Sequence, residues 1–303
     1  MIVRFFSLFS LLFLLNFPVL AQMAPEDPTH FKLVFWNIQW FPGGKMDGAT
    51  EAEVKAQIAA VQSQIEELDP DILGMQEIRD EKAAELAIAK LPGASVQVCS
   101  DFLSSRGEKT TQQLVIASRL PAIGAWWEAW KEGPRITPKR GFAFAAFQPT
   151  PGNVLLVYTV HLKSNRGELA ENIAMREESA FQLLSHVAAM EKAYRGLGTV
   201  SVIIGGDFNT SADDAKFGLE KTLSKMEAAG FESSWKNKPL KQRVTLPSAP
   251  SKNPKSPPFP DACFDFVFVK NARILTASVN IPATNTSDHR AVVVEVALPV
   301  VQN

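Results

Sequence analysis

The chain has 303 residues, 46% of them hydrophobic and 21% charged, with a formal net charge of −1. This balance excludes a disordered tail and describes a globular protein long enough to bury its core without staples. Near-neutrality also excludes a global pull on nucleic acid, so any polyanion must be held by a local patch.

Residues 1–21 stand apart from the rest of the chain. Arg4 precedes an apolar run from Phe5 to Leu15, and Val19-Leu20-Ala21 forms a small-residue cleavage pattern. A signal peptide cut before Gln22 is expected, leaving a secreted or periplasmic protein. An uncleaved anchor is the rival reading, because Phe5 to Leu20 nearly reaches spanning length, although Asn16 and Pro18 shorten the run. Cleavage would remove Arg4 and leave 30 Lys and Arg against 32 Asp and Glu. Cys99 and Cys263 are the two cysteines. After export they either pair or remain as two lone buried thiols.

Val54, Ile58, Val61, Ile65 and Leu68 recur at helical spacing, which predicts a helix over 51–68, ended by Asp69-Pro70. A short apolar run, Ile72 to Met75, then leads into Gln76-Glu77. Strands are expected over 114–117, 142–147, 154–160, 200–204, 264–269 and 292–296, and a long helix over 170–194. Phe142 to Phe147 is apolar on both faces, as in a strand buried from both sides. Residues 247–260 contain six prolines, which forbid a helix or a central strand. They read as a mobile rim loop within one domain spanning 30–300.

Polar residues gather where the apolar strands end. Phe35-Trp36 leads to Asn37, Val157 to Val160 leads to His161, and Val202 to Gly206 leads to Asp207-Phe208-Asn209. Asp265 lies inside Phe264-Asp265-Phe266, and Asp288-His289 precedes Ala291-Val292. Each alone reads as a turn residue or a cap. Together, carboxylates, carboxamides and two imidazoles without a nucleophilic Ser or Cys motif suit water activation beside a hard cation. His30 and His186 lie outside these runs and read as structural or solvated.

Six short motifs stand in the order of a known family: Trp36-Asn37-Ile38-Gln39, Gln76-Glu77-Ile78, His161-Leu162-Lys163-Ser164, Gly206-Asp207-Phe208-Asn209, Phe264 to Phe268 and Ser287-Asp288-His289-Arg290. From about Phe31 to Val296 the chain resembles the endonuclease/exonuclease/phosphatase family, whose best-known fold is that of pancreatic deoxyribonuclease. The resemblance implies an α/β (α+β) four-layer sandwich, two mixed β-sheets packed face to face with helices outside. It implies Glu77 as principal ligand of Mg²⁺, with Mn²⁺ or Ca²⁺ as substitutes, and Asn37 and Asp288 near the ion. Asp207 and Asn209 would position the attacking water and a phosphate oxygen. His289, oriented by Asp265, would be the base or the transition-state stabiliser, and His161 would face the phosphate from the other side.

Two departures qualify these roles. Gln39 stands where some branches carry Asp, and Gln112-Gln113 lacks the Glu that supports the first imidazole in the deoxyribonuclease branch. Arg140, Lys163 and Arg166 are the expected substrate contacts, with Arg176 either at the same mouth or on a solvated face. Trp126, Trp127 and Trp130 either stack on substrate or anchor loops to the core. The substrate expected is nucleic acid, with small or lipid phosphoesters as the alternative and a non-catalytic binding module as the third reading. No stable protein partner is implied, so a monomer is expected.

Overall fold

The computed structural model describes residues 29–104, 106–250, 258–282 and 286–300; the expected signal peptide lies outside them. The chain opens with β1 (His30–Phe41), α1 (Glu51–Leu68), β2 (Ile72–Ile78), α2 (Glu81–Ile88), β3 (Ser95–Cys99) and β4 (Gln113–Ser118). Next come β5 (Gly124–Ala129), β6 (Gly141–Thr150), β7 (Gly152–His161), α3 (Leu169–Tyr194) and β8 (Gly198–Asp207). It closes with α4 (Thr222–Ala228), β9 (Glu232–Ser233), β10 (Asp265–Lys270), β11 (Arg273–Val279) and β12 (Val292–Ala297).

The strands form two six-stranded sheets, ordered β11-β12-β1-β2-β4-β3 and β5-β6-β7-β8-β10-β9. Each sheet holds one parallel pair, β1 with β2 and β7 with β8, among antiparallel neighbours. Both sheets are therefore mixed, as the resemblance implies. Alternation along β1 shows how they pack. Leu33 and Phe35 join the core between the sheets, while Val34, Trp36 and Ile38 pack beneath Val61 and Ile65 of α1 and the alanines of α2. The Phe35 ring lies so close to Gly74 and Gly205 that a Cβ on Gly205 would stand 2.4 Å from it. Both positions need glycine for the sheets to approach.

The helix expected over 51–68 is present with those limits, and its start has a chemical cause. Thr50 accepts from Glu53 N while Glu53 reaches back to Thr50 N, a complete capping box. Phe142 to Phe147 is buried throughout, between the opposite sheet and α3. The Pro-rich excursion leaves and returns as a narrow ribbon, with bridges Leu246↔Ala262 and Ala249↔Phe259; its tip, 251–257, lies outside the described residues.

Cys99 and Cys263 are free thiols on opposite flanks of the sandwich. Cys99 ends β3, which packs over β5 and β6, whereas Cys263 leads into β10, which packs over β12. Elements α2, β3, β5, α4, β9 and β11 have no counterpart among the sequence expectations. Among the described residues no helix is long and apolar enough to cross a membrane.

Candidate active site

Strand register assembles the site before any side chain is considered. His161, Asp207 and Asp265 are direct neighbours across β7, β8 and β10, so their side chains leave one face of the second sheet together. Asn37 and Gln76 are neighbours in the same way across β1 and β2, with Glu77 next in line. The two parallel pairs end at the same end of the sandwich, and there the residues of both sheets meet.

Asp207 is the hub. Its Oδ1 accepts from Asn209 N at 2.8 Å, and its Oδ2 accepts from Asn37 Nδ2 at 3.1 Å and Asn209 Nδ2 at 3.0 Å. Both imidazoles approach the same Oδ2, His161 Nε2 at 3.5 Å and His289 Nε2 at 3.8 Å. The other nitrogen of His289, Nδ1, lies 2.8 Å from Asp265 Oδ2. The final motif is pinned to β1: Trp36 Nε1 donates to the His289 carbonyl at 3.0 Å, and Ser287 Oγ donates to the Asn37 carbonyl at 2.7 Å. Ser287 Oγ also accepts from Gln39 N and His289 N, each at 3.1 Å.

The two histidines are driven in opposite directions. Burial opposes charge on His289, but the Asp265 and Asp207 carboxylates outweigh it and lift its pKa well above the usual imidazole range. Burial pushes His161 well below that range, and the positive charges of Arg140 and His289 add to the effect. His289 is therefore held as an imidazolium and His161 as a neutral ring. Burial also pushes Asp207 up, with Asp265 adding to the rise and His289 opposing it.

Backbone strain is concentrated here. Of seven non-glycine residues in the left-handed region among those described, four are Trp40 (φ +47), Glu77 (φ +60), Arg140 (φ +69) and Asn209 (φ +54). Asn adopts this conformation readily, but Trp, Glu and Arg do so at a cost of about 1–3 kcal/mol each. Such residues persist where the surroundings fix them. Trp40 N donates to Glu77 Oε2 at 3.1 Å, joining two of the strained residues to each other.

A hard cation fits beside Glu77. The Asn37 amide spends its Nδ2 on Asp207, leaving buried Oδ1 without a hydrogen-bond partner among the described residues. Burial raises the Glu77 pKa, and the charge of exposed Asp288 raises it further. Two carboxylates that repel and one orphaned amide oxygen make an oxygen donor set for a divalent ion. Asp207, Asp265 and His289 also offer ligand atoms within 4.8 Å of one another. Asp265 Oδ1 is likewise without a partner among the described residues, but the imidazolium of His289 stands against that group and repels a cation, so the Glu77 side is the better cation site.

The expected substrate contacts lie at and beyond the end of β7. Arg140 Nε donates to the His161 carbonyl at 2.9 Å, Nη2 to the Leu162 carbonyl at 2.7 Å and Nη1 to Gln112 Oε1 at 3.2 Å. It clamps the end of β7, and its charge still reaches Glu77 and Asp207. Lys163 Nζ donates to the carbonyls of Ser164 and Arg166 within its own loop, and Arg166 is exposed. His161 Nδ1 has no partner among the described residues, in keeping with the missing Glu near Gln112.

Arg176 has a role that its sequence position does not announce. Fully buried, it pairs with Glu220 and donates from Nη1 to the Lys163 carbonyl and to Asn165 Oδ1, each at 3.0 Å. Asn165 Nδ2 in turn donates to the Asn209 carbonyl at 2.9 Å. Arg176 thus underpins Asn209 from below. Trp126 packs on Phe144, Trp127 on Phe102 and Trp130 on Phe142, so these three indoles anchor the edge of the second sheet.

Residues 34–289 match the Endonuclease/Exonuclease/phosphatase family. Comparison with curated protein sequences finds no match. Among solved structures, an endonuclease/exonuclease/phosphatase from Beutenbergia cavernae superposes with TM-score 0.63 at 20% identity, covering 89% of this chain and 72% of that one. A mannosyl-6-phosphatase from Bacteroides thetaiotaomicron gives TM-score 0.59 at 17% identity, with 88% and 100% covered. Truncated TDP2 from Caenorhabditis elegans gives 0.58 at 16% identity, with 88% and 98% covered. At these identities the structural likeness speaks for the fold, and the sequence match speaks for the family. The chain belongs to the endonuclease/exonuclease/phosphatase family of phosphoester hydrolases.

Proposed function

We propose that the chain is an exported, divalent-metal-dependent nuclease that cleaves phosphodiester bonds with an activated water. One observation carries the reading: Asp207 lies between an orphaned acceptor, Asn37 Oδ1, on the Glu77 side and the His289–Asp265 pair on the other. Glu77, Asn37 and Asp288 would hold Mg²⁺, Mn²⁺ or Ca²⁺, which when bound neutralises charge on the phosphate.

The chain's own groups do the rest. Asp207, made more basic by burial, takes the proton of the attacking water, and Asn209 fixes the orientation of its carboxylate. His289, held charged by Asp265, donates from Nε2 to the phosphate as negative charge builds there and gives that proton to the oxygen that leaves as its P–O bond breaks. His161 is neutral, and its Nε2 faces the carboxylates of Asp207 and Glu77. That places its proton on Nε2, available to a second phosphate oxygen.

A polyanionic substrate is supported by Arg166, exposed on the loop after β7, by Lys163 of the same loop, and by the charge of Arg140, although its guanidinium is spent on the end of β7. The likeness to a mannosyl-6-phosphatase supports a second reading, hydrolysis of a small phosphomonoester. Parallel assays on DNA, RNA, a sugar phosphate and sphingomyelin, with and without chelator, decide between them. Cleavage of the sugar phosphate alone would overturn the nuclease reading, and full activity in chelator would overturn the metal. Export is supported by residues 1–21. N-terminal sequencing of protein recovered from outside the cytoplasm should begin at Gln22.

A further inference from the structure

We propose that Trp40 is a stacking platform for a nucleobase next to the scissile phosphate, an inference that rests on the nuclease reading above. Trp40 has φ +47, a conformation that Gly, Asn or Asp would adopt with little strain. A bulky aromatic is among the most costly residues to place there, so the backbone does not account for the indole.

Packing does not account for it either. Trp40 is half-buried, its ring stacks on no other aromatic, and its indole N–H donates to no partner among the described residues. The other tryptophans of this site end contrast with it: Trp36 is fully buried with its N–H on the His289 carbonyl, and Trp130 packs on Phe142.

The backbone around the ring is tied at several points. Trp40 N donates to Glu77 Oε2, the Trp40 carbonyl accepts from Gly44 N at 3.3 Å, and the preceding carbonyl of Gln39 accepts from Gln57 Nε2 at 3.0 Å. These ties hold the Trp40 backbone against the Glu77 carboxylate, so the segment need not be ordered when a ring stacks on the indole. It lines a pocket of about 180 Å³ with Lys45, Arg79 and Thr111. Thr111 directly precedes Gln112, the partner of Arg140, so the pocket flanks the site between Glu77 and the β7 clamp. Lys45 and Arg79 make half-exposed ion pairs with Glu53 and Asp80, of a kind readily exchanged for a phosphate. A flat ring that shares one pocket with two exchangeable cations fits one base and the phosphate following it.

The test uses short single-stranded oligonucleotides, either fully based or carrying one abasic nucleotide at a defined position. Cleavage at each linkage is mapped, and binding is measured by fluorescence anisotropy in chelator. The wild type should discriminate ~10-fold against the linkage flanked by the abasic nucleotide, in cleavage and in binding. Trp40→Gly, which suits the left-handed backbone and so should fold, should reduce that discrimination to within about twofold; Trp40→Phe should keep part of it. A wild type that neither binds nor cleaves any oligonucleotide overturns the nuclease reading and the platform with it. A wild type that cleaves without discrimination, or a Trp40→Gly variant that keeps it, overturns the platform alone.

Discussion

His289 Nδ1 lies 2.8 Å from Asp265 Oδ2, and both residues are buried. Asp265 stands at the start of β10, where its carbonyl accepts from Trp235 Nε1 at 2.8 Å and its N–H donates to Thr245 Oγ1 at 3.1 Å. The backbone that carries the carboxylate is thus held before any substrate arrives. The charged His289 ring is thereby held in one orientation, with Nε2 toward Asp207.

Because orientation matters most in the transition state, Asp265→Asn should lower kcat by ~100-fold while KM changes little. His289→Ala should cost at least as much, and the double variant little more, since the two residues act as one unit. Turnover of the four proteins on the identified phosphoester, with folding checked by circular dichroism, gives the answer. Independent, multiplying losses would show that the pair is not coupled.

Glu77 and Asn37 should govern how tightly the cation is held. Glu77→Gln removes charge from a site where burial already works against it, so the variant should fold normally and bind Mn²⁺ at least ~10-fold more weakly. Asn37→Asp offers a charged oxygen in place of the orphaned Oδ1 but loses the donor to Asp207. It should bind Mn²⁺ no more weakly than the wild type and still turn over slowly. Calorimetric titration with Mn²⁺ reads both, and unchanged affinity in Glu77→Gln would remove this carboxylate from the ion.

What could be read from the sequence divides along a physical line. Asn37, Glu77, His161, Asp207, Asp265 and His289 sit at or beside the ends of apolar strands, where a polar residue interrupts a strong period and stands out. Their convergence at one end of the sandwich comes from strand order within the two mixed sheets that the resemblance implied. Arg176 could not be read in the same way. An arginine on an otherwise amphipathic helix looks solvated, and only the turn carrying Glu220 reveals its burial. The left-handed backbone of Trp40 and Glu77 was equally silent, since neither residue type favours it. Edge strands β3, β5 and β11 were missed because half-exposed strands lack the continuous apolar run of buried ones.

Arg176 and Glu220 form a buried pair, with Nη2 to Oε2 at 2.6 Å and Nε to Oε1 at 2.8 Å. Arg176→Met would leave the carboxylate buried and unpaired, at a cost of about 3–5 kcal/mol. Replacing both residues with Met should recover much of that stability. Turnover should not recover, because Asn165 has still lost the group that holds it under Asn209. Urea unfolding and kcat measured on both variants separate the two effects. Equal recovery of stability and turnover would mean that Arg176 does not position the loop.

Burial pushes both thiols up to about 12. At pH 8 only about one part in ten thousand of each would be thiolate. Iodoacetamide should therefore leave the native protein unlabelled and take up two equivalents after unfolding without reductant. Failure to label the unfolded, unreduced protein would show that the two cysteines are oxidised, contrary to their places on opposite flanks.

Outside the active-site cluster, His186 should make stability depend on pH. This residue of α3 is enclosed by Phe142, Phe144, Trp126 and Tyr158, with Tyr158 Oη 3.1 Å from Nδ1 and Glu128 Oε1 3.2 Å from Nε2. Burial lowers its pKa and Lys131 acts in the same direction, while Glu128 only partly offsets them. The unfolded chain therefore takes up the proton first, at its ordinary value of about 6.5. The contribution of His186 is complete above that pH and is lost as pH falls from about 6.5 toward the folded value. A single group can give a slope of at most about 1.4 kcal/mol per pH unit. His186→Gln keeps a polar side chain against Tyr158 and Glu128 but cannot titrate. It should be less stable than the wild type at pH 8, and the gap should narrow as the pH is lowered to 5. Urea midpoints for both proteins across that range measure the gap directly. A constant difference would show that His186 takes up its proton equally well in the folded and unfolded chains, despite its aromatic enclosure.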